Sequence, residues 1–580
     1  MHICTALKKN TALLMAIILF LCAAGCKKSP SNSSAISDEV EIIYEYVDES
    51  NISESSKETA NPSTVTSSRQ RSVDKSTPSG DKTPTSSDKG GTSTASEGGS
   101  REKILTVSGK VNGYITSDNK TKKLSTIDSS QITVTKSKKV SADKLISNIE
   151  PDAKYQKIEG FGGALTDSSC ANLQQMSAAQ RNLVMTNLFD PNNGIGLNYL
   201  RQPCGVTDYA VDWHTYDDMP EGQTDMNLEH FSIDCDREYI LPYIKQAMSL
   251  NSDIKVISSV WSPPLWMKTK YEWTTTPENG NYDIPATEKN TAMLRRDCYG
   301  VFANYLVKYI QAYAAEGIDI TSIVPQNEPT GRHGIPAAYY TADRMSDLIN
   351  NYIAPAFRNS GINTEIWSWD FNFFEDEAFD FTAGAIDNIQ GIAMHYPSTD
   401  AGLITSLKYA FDRPVYLTET GSGSGDNFEN LTDNVCSIID WLHAGASAVI
   451  RWNLTLDEYG GPSDDRNPHI RKSPNKYGGG LIGYNTSDKT VTNLADYYAM
   501  GHFSKFIKRG AYIIHSDNMS YTDEFIKNVS AVNPDGSIVT VIANRSFGQR
   551  DVILVFGDTK IEYKIPGTSV VTFVWNSATV

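Results

Sequence analysis

The sequence has 580 residues, with 69 acidic and 52 basic side chains and a formal net charge of −17. Nucleic acid and anionic membrane surfaces would repel so acidic a chain at long range, so its charge argues against both as partners. A neutral polymer would not be repelled, and the chain is too long for one ordinary hydrophobic core.

The chain begins with a segment typical of an export signal. Lys8 and Lys9 precede the apolar run TALLMAIILFLCAAG, which is too short for a membrane span and ends in small residues. We therefore predict a signal peptide over residues 1–25. Cys26 follows in an AAGC junction that resembles a bacterial lipoprotein signal, in which the cysteine is lipidated. This predicts an extracellular, cell-surface lipoprotein; plain secretion with an incidental cysteine is the alternative.

Residues 26–100 are predicted to form a lipid-anchored, disordered linker. Its second half, TSSRQRSVDKSTPSGDKTPTSSDKGGTSTASEGGS, is rich in Ser and Thr and has almost no apolar side chains. Burial therefore cannot offset the entropy cost of ordering this segment. A flexible coil of about 50 residues spans roughly 40 Å, enough to hold a folded domain away from a cell wall.

From Tyr155 to Gly510, short β-branched or aromatic runs alternate with stretches of helical periodicity. The eight predicted strands are KIEGFGG, GLNYLRQP, IKVISSVWSPP, ITSIVPQNEP, TEIWSWDFN, IQGIAMHYP, PVYLTETGS and SAVIRWNLTL. The predicted helices between them include SAAQRNLVMTNLF, REYILPYIKQAMSL, YGVFANYLVKYIQAYAAEG, DRMSDLINNYIAPAF and NVCSIIDWLHAGA. This alternation predicts an α/β fold, a (β/α)8 TIM barrel over residues 155–508.

Polar and aromatic side chains cluster where the predicted strands end. In a TIM barrel the strand bodies are buried, and functional side chains lie at the carboxyl ends, where the loops form a pocket. The residues at or just after strand ends are Arg201, Asp208, Trp261, Glu328, Asp370, His395, Glu419 and Trp452. Any one of them could be an ordinary loop residue, but eight together predict one pocket.

Glu328 and Glu419 indicate the chemistry of this pocket. They end the fourth and seventh predicted strands, which lie about opposite each other across the barrel mouth. Two carboxyl groups flanked by tryptophans, in a sequence without a phosphate-binding glycine loop or a nucleophilic triad, suit glycoside hydrolysis. One carboxyl group protonates the leaving oxygen, and the other attacks the anomeric carbon or activates water. The predicted sugar-binding side chains are Trp261, Trp452, Arg201, Asp208 and Asn327.

The cysteines and histidines show no spacing typical of a metal site or of a disulfide framework. The cysteines beyond the linker are Cys170, Cys204, Cys235, Cys298 and Cys436, which include no C-x-x-C pair. We predict that they are buried thiols. The histidines lack H-x-x-x-H and H-E-x-x-H spacings, so we expect no metal and no other cofactor.

The motifs of the predicted loops resemble those of glycoside hydrolase family 30, the glucosylceramidase and endo-β-1,6-glucanase family of retaining barrel enzymes. They are IEGFGGALTDSS, LRQPCGVTDYAVDWHTYDD, WSPPLWMKT, QNEP, TETGS, WNLTLDEYGGP and GHFSKFI, in family order. The resemblance implies that Glu328 is the acid/base and Glu419 the nucleophile. It also implies a subsite for the hydrolysed sugar lined by Asp208, Trp261, Asn327 and Trp452. Because an acid must keep its proton, we expect an ionised Glu419 to raise the pKa of Glu328.

Two positions depart from the family pattern. Gln202, in the motif RQP, is polar where the family has a hydrophobic residue, so we expect a difference in local packing. His395 is followed by Tyr396 and a proline, so the tyrosine that often hydrogen-bonds the nucleophile in this family is absent or supplied differently. His395 and Asp370 nevertheless remain in the predicted binding set.

The resemblance also implies a β-sandwich built from segments on both sides of the barrel. The stretch ITVTKSKKVSADKLISNI lies before the barrel, within a predicted β segment over residues 101–154. Residues 509–580 contain alternating apolar runs separated by Asp-Gly and Gly turns, as expected of antiparallel strands. A separate carbohydrate-binding domain is the alternative for this tail.

The sequence predicts a retaining β-glycosidase that hydrolyses β-glucosidic bonds by double displacement. We favour β-1,6-glucan or a related glucoside as substrate, because an exported, tethered protein meets polysaccharide more readily than sphingolipid. A xylan-active enzyme, a non-catalytic carbohydrate-binding lipoprotein on the same barrel and a structural surface protein are the alternatives. We expect a monomer that contacts the membrane only through its lipidated N-terminus and binds no nucleic acid.

Overall fold

The computed structural model describes residues 104–137, 139, 144–277, 280–372, 374–395, 401–421, 425–467 and 480–579. The predicted signal peptide, Cys26 and the linker to residue 100 lie outside this part of the chain. Within it, no helix is both long and apolar enough to cross a membrane.

A closed ring of eight parallel strands forms the centre of the fold. Four strands precede it: β1 (Leu105–Ser117), β2 (Ser125–Thr126), β3 (Thr133–Lys136) and β4 (Leu145–Lys157). The barrel strands are β5 (Gly160–Ala164), β6 (Tyr199–Pro203), β7 (Lys255–Ser259), β8 (Ile320–Val324), β9 (Glu365–Phe371), β10 (Gly391–His395), β11 (Val415–Thr420) and β12 (Ala446–Arg451). β12 pairs in parallel with β5 and closes the ring. The predicted TIM barrel is confirmed, and each predicted strand overlaps one strand of the barrel.

Helices lie in the connections between the barrel strands, with one more after them. They are α1 (Asp167–Gln175), α2 (Ala178–Phe189), α3 (Asp234–Tyr239), α4 (Leu241–Leu250), α5 (Tyr299–Ala315), α6 (Ala342–Leu348), α7 (Ala354–Asn359), α8 (Glu375–Ala385), α9 (Gly402–Phe411), α10 (Leu431–Ala444) and α11 (Ala495–Ser504). The predicted helix REYILPYIKQAMSL is in fact two helices that meet at Ile240. Pro242 lies in the first turn of α4, where its missing N–H costs no hydrogen bond.

A second sheet contains the four strands that precede the barrel and six strands that follow it. The six are β16 (Tyr512–Ser516), β17 (Ile526–Val532), β18 (Ser537–Asn544), β19 (Arg550–Phe556), β20 (Thr559–Ile565) and β21 (Ser569–Thr579). In the same sheet β1 pairs with β21, β3 with β20, and β4 with β16 and β19. The fold is therefore a TIM barrel with an associated β-sandwich, as predicted. A small third sheet contains β13 (Thr455–Asp457), β14 (Ile482–Tyr484) and β15 (Val491–Asn493).

An apolar layer of side chains fills the barrel interior, and most of the barrel strands contribute to it. Its members are Tyr199, Ile257, Val324, Trp367, Ala393, Tyr416, Ala448 and Ile450. Trp367 stacks on Tyr416 with ring centroids 3.9 Å apart. Side chains two residues apart on a strand share a face, so the next inward positions lie closer to the carboxyl ends of the strands. Those positions include Arg201, Ser259, His395 and Thr418, and they form the floor of the site.

The cysteine prediction is confirmed for four residues and wrong for one. Cys170, Cys204, Cys298 and Cys436 are buried free thiols, whereas Cys235 is exposed. Cys235 lies in the first turn of α3, a short helix on the protein surface whose buried member is Asp236.

Candidate active site

The nine predicted catalytic and binding residues lie together at the carboxyl end of the barrel. Their positions are Arg201 on β6, Asp208 after β6, Trp261 after β7, Asn327 and Glu328 after β8, Asp370 on β9, His395 at the end of β10, Glu419 on β11 and Trp452 after β12. A cleft of about 640 Å³ opens above them, and Asp208, Trp261, Asn327, Glu328 and Glu419 line it. The other four residues reach it through the contacts described below.

Arg201 is the buried cation that connects these side chains. Its Nη1 donates a hydrogen bond to Glu419 Oε2 at 2.5 Å. Its Nη2 donates to Asn327 Oδ1 at 2.7 Å and to Asp370 Oδ2 at 2.9 Å. The side chain is 1% exposed, so the two carboxylates balance a charge that has no access to water.

Asp370 is a buried carboxylate with four hydrogen-bond partners. Besides Arg201, its Oδ2 accepts from Ser259 Oγ at 2.5 Å, and its Oδ1 accepts from Thr418 Oγ1 at 2.5 Å and lies 3.1 Å from His395 Nε2. Burial alone would raise the pKa of Asp370, but the charges of Arg201 and His395 hold it far below its usual range. Asp370 is therefore a fixed anion that orients Arg201 and His395 and does not itself line the cleft.

The backbone is strained where it presents two of these carboxyl groups. Asp370 has φ 65° and Glu328 has φ 50°, a left-handed conformation that non-glycine residues seldom adopt. The two positions support each other, since the amide of Glu328 donates to the carbonyl of Asp370 at 3.0 Å. Such strain persists only where the surroundings fix it, and it is frequent at active sites.

His395 lies between the two glutamates. Its Nδ1 is 3.2 Å from Glu328 Oε1 and 3.8 Å from Glu419 Oε2, while its Nε2 faces Asp370. Burial lowers the pKa of His395, but the negative charges of Glu419 and Asp370 outweigh this and raise it to about 9. At neutral pH the ring is therefore a cation with both nitrogens protonated.

Both carboxylates lie near Nδ1 of His395, and this sets an upper limit on the distance between them. Glu328 Oε1 and Glu419 Oε2 are no more than about 7 Å apart, the sum of their two distances to His395 Nδ1. Retaining glycosidases have carboxyl groups about 5–5.5 Å apart, and inverting enzymes about 6.5–9.5 Å. This upper limit excludes most of the carboxyl separations that are found in inverting enzymes.

Glu328 has a second histidine partner that was not predicted. Its Oε2 is 2.8 Å from Nε2 of His333, on the loop that follows β8. Burial would raise the pKa of Glu328, but hydrogen bonds with His333 and His395 outweigh it and lower the pKa to about 2. The expectation that Glu419 would raise the pKa of Glu328 is therefore wrong for this arrangement. The proton that an acid would need rests instead on the neighbouring imidazole.

Asp208 is a carboxyl group of the cleft whose pKa is raised. It is 6% exposed, and burial together with the charges of Glu419 and Glu328 raises its pKa well above the usual value. Its backbone carbonyl is held by Ser463 and Asn467. Its side chain lines the cleft, where it can hydrogen-bond a sugar hydroxyl.

The two tryptophans have different surroundings. Trp261 and Trp452 stack with ring centroids 5.3 Å apart, and the Arg201 guanidinium lies 4.7 Å from the Trp261 ring. Trp261 is 1% exposed, so its faces are covered and it positions Arg201 and Trp452. Trp452 is partly exposed and can offer apolar surface to a sugar ring.

Three polar residues of the site were not predicted: His333, Ser259 and Thr418. His333 lies five positions after Glu328 on the same loop, and this short separation in sequence could have indicated that the two side chains meet. Thr418 lies two positions after Tyr416 and shares its inward face, whereas regular alternation would turn Glu419 away; the register of β11 shifts against β10 and β12 near Glu419. Of the two departures from the family pattern, Gln202 is buried and donates to the carbonyl of Pro203 at 3.0 Å. Tyr396 lies outside the described residues.

The family of this chain follows from comparison with known proteins. A model of the glycosyl hydrolase family 30 TIM-barrel domain matches residues 158–507, and a model of the family 30 β-sandwich domain matches residues 510–573. The chain belongs to glycosyl hydrolase family 30. This agrees with the resemblance seen in the sequence, and the protein is a glycoside hydrolase.

Relatives of this family 30 hydrolase include enzymes with two named activities. An endo-1,6-β-D-glucanase of Neurospora crassa is 31% identical over 422 residues, which cover 71% of this chain and 83% of the relative. The lysosomal acid glucosylceramidase of Mus musculus is 28% identical over 460 residues, covering 74% and 83%. Among solved structures, the endo-β1,6-glucanase BT3312 matches with a TM-score of 0.68 and 27% identity, covering 81% of this chain and all of that one.

Proposed function

We propose that this family 30 hydrolase cleaves β-1,6-linked glucan with retention of configuration, with Glu419 as nucleophile and Glu328 as acid/base. The observation that carries the proposal is the position of His395 Nδ1, within 3.2 Å of one glutamate and 3.8 Å of the other. That spacing favours direct attack by a carboxylate over attack by an interposed water.

The contacts of the two glutamates support the division of roles. Glu419 accepts a 2.5 Å hydrogen bond from Arg201, which suits a carboxylate that attacks as an anion. Glu328 faces two histidines, and the protonated ring of His395 can hand it a proton before it acts. Glu328 then protonates the leaving oxygen as Glu419 bonds to the anomeric carbon. In the second step water gives its proton to Glu328, attacks the anomeric carbon and releases Glu419.

The substrate class rests on the relatives and on the predicted export. Named endo-1,6-β-glucanases are among the similar chains and among the similar structures. An exported, tethered enzyme would meet such a polymer outside the cell. Glucosylceramide is the second candidate, because the mouse relative is named a glucosylceramidase. Xylanase structures are 22% identical or less, a similarity that carries only the fold.

Substrate class and stereochemistry can be measured together. The enzyme would be offered linear β-1,6-glucan, glucosylceramide in detergent micelles and xylan, with NMR of the first product formed. We expect hydrolysis of β-1,6-glucan to give the β-anomer first. Preferential hydrolysis of either other substrate would overturn the substrate assignment, and an α-anomer would overturn retention.

Azide rescue tests the roles of the glutamates. On an aryl β-glucoside with a good leaving group, Glu328→Gln should form the glycosyl-enzyme, stall, and give β-glucosyl azide when azide is added. Glu419→Ala should give the α-azide, since azide then replaces the nucleophile. Glu365→Gln, at the opposite end of the barrel, is the matched control and should behave as wild type. The reverse pattern of azides would exchange the two roles.

We also propose that the protein is exported and anchored through lipidated Cys26. The support is the AAGC junction behind a short apolar run and the Ser/Thr-rich linker that follows it. Wild-type protein should partition with membranes, and Cys26→Ser should be released into the medium. An unmodified N-terminus at another residue, found by mass spectrometry of the native protein, would refute the anchor.

A further inference from the structure

A second cleft lies beside the connection between β6 and α3. Its volume is about 510 Å³, and its lining residues include Asp167, His214, Cys235 and Asp236. It shares no lining residue with the cleft above Glu328. Asp167 begins α1, His214 lies on the connection, and the other two residues lie on α3, so three separate parts of the chain meet here.

Three different metal-ligating atoms point into this cleft. A ring nitrogen of His214, Sγ of Cys235 and a carboxylate oxygen of Asp236 all lie within 4.8 Å of one another. His214 Nδ1 lies 2.9 Å from the carbonyl of Asp212, and Nε2 is buried without a hydrogen-bond partner. If Nδ1 donates its proton to that carbonyl, the lone pair is on Nε2. Histidine ligands of metals are usually oriented by such a bond from the second ring nitrogen.

Asp236 is held in place by two tyrosines. Its Oδ2 accepts hydrogen bonds from the hydroxyls of Tyr216 and Tyr313, each at 2.5 Å. Its Oδ1 accepts a hydrogen bond from the Cys235 thiol, whose Sγ lies 3.6 Å away. Asp236 is 2% exposed, so the tyrosines fix one oxygen, and the other becomes available to a ligand when Cys235 loses its thiol proton. Hydrogen bonds of this kind orient metal-ligating carboxylates.

The side chains around the cluster of His214, Cys235 and Asp236 are mainly acidic or uncharged. The described residues that line the cleft include further acidic side chains and no lysine or arginine. A bound cation would neutralise this charge.

We propose that His214, Cys235 and Asp236 bind one zinc-type divalent ion, with a water molecule completing a tetrahedral set. Mixed nitrogen, sulfur and oxygen ligands suit zinc, whereas calcium and magnesium prefer oxygen ligands alone. Ligands at about 2.0–2.3 Å from zinc lie closer together than 4.8 Å, so binding draws them inward. Cys235 is exposed and free to make this movement, and it loses its thiol proton on binding.

Zinc at this position would fasten the connection after β6 to α3. The same connection carries Asp208 into the active cleft, six residues before His214. The ion would therefore stabilise a long loop against its scaffold without touching the substrate.

Cobalt(II) is the probe, because a thiolate bound to cobalt gives a charge-transfer absorption in the near ultraviolet. Full-length protein should show this absorption with one equivalent of cobalt and lose it when zinc is added. Cys235→Ser should abolish the band, and His214→Gln should weaken metal affinity by at least about 100-fold. Cys436→Ser, which removes a buried thiol elsewhere, should leave the band unchanged. Circular dichroism checks that each variant is folded.

Two results would overturn the site. One is the absence of the band in folded wild-type protein, and the other is a band that survives in Cys235→Ser. A thermal scan gives an independent reading: zinc should raise the Tm of wild type and of Cys436→Ser, but not that of Cys235→Ser, because binding to the native state alone stabilises it. None of these outcomes depends on which glycan the enzyme cleaves.

Discussion

Two layers of side chains inside the same barrel have opposite chemistry. The layer of Tyr199, Ile257, Trp367 and their neighbours is apolar, whereas the layer around Arg201 contains ionised and hydrogen-bonded groups. The apolar layer needs only complementary shapes. The ionic layer must pair every buried charge, because an unpaired charge in this position is costly.

The backbone differs between the two layers as well. Near the ionic layer, the register shifts between β9, β10 and β11, and Trp369, Asp370 and Glu328 have positive φ. Regular strands would have kept the alternation of inward and outward side chains. The comparison teaches that the barrel gives up regular geometry where it assembles the site, and that the apolar layer provides a rigid support.

The largest effect is expected from Arg201→Met. It leaves Asp370 and Glu419 without their buried cation, so the free energy of unfolding should fall by about 3–5 kcal/mol. Loss of a donor to the nucleophile should also lower kcat/KM by about 10²–10³-fold. Denaturant unfolding and initial rates on an aryl glucoside measure the two effects. Arg509→Met, which breaks ion pairs with Glu159 and Asp253 away from the site, should leave kcat/KM unchanged.

Trp367→Ala should separate stability from activity. Truncating a tryptophan in the apolar layer should cost about 3–5 kcal/mol of unfolding free energy. The kcat/KM of the remaining folded enzyme should change by no more than a few fold. Trp452→Ala is the matched variant and should show the reverse, with weaker substrate binding and a small stability loss. Equal loss of activity in both variants would mean that the two layers are not independent.

His395→Gln should change the pH dependence of activity. In wild type the proton near Glu328 is held by a ring with a pKa of about 9, so kcat/KM should decline on the basic side near that pH. In the variant the proton must be held by Glu328 itself, and the basic limb should move to lower pH. The rate at neutral pH should fall by about 10²-fold. An unchanged basic limb would show that His395 does not hold the catalytic proton.

The same histidine should make folding stability depend on pH. Its pKa of about 9 in the folded protein lies above the ordinary value of about 6.5. The folded state therefore binds the proton more tightly, and the resulting stability is complete below about pH 6.5 and lost as the pH rises to about 9. Wild type should lose on the order of 1–3 kcal/mol across this window. His395→Gln should lose less, as chemical denaturation at each pH would show.

The smallest effect is expected from His333→Ala. It removes one of the two histidine partners of Glu328, so the pKa of Glu328 should rise from its low value. Loss of one hydrogen bond to a charged group should lower kcat by no more than about tenfold. His230→Ala, which changes a histidine outside this cleft, is the control. A loss as large as that of His395→Gln would make the two histidines equivalent.

Periodicity was enough to predict the barrel, and the position of side chains at strand ends was enough to predict that Glu328 and Glu419 meet at its carboxyl end. Periodicity assumes regular strands, however, and Glu419 lines the cleft next to the inward-facing Thr418, where the strand register shifts. It also missed His333, whose loop returns toward Glu328. The cluster of His214, Cys235 and Asp236 has no sequence spacing to detect, because a loop and a helix meet in space. Pro242 also marks the junction of α3 and α4 in the sequence, yet the helical pattern predicted one continuous helix there.

The pairing of β1 with β21 joins Leu105 to Thr579 within one sheet. The barrel is thus inserted between two parts of the sandwich. During synthesis, the first strands of that sheet must wait until the last residues leave the ribosome before they find their partners. Such long-range pairing is slow to form and exposes strand edges meanwhile. A deletion of β21 would therefore leave β1 paired only with the two-residue strand β2.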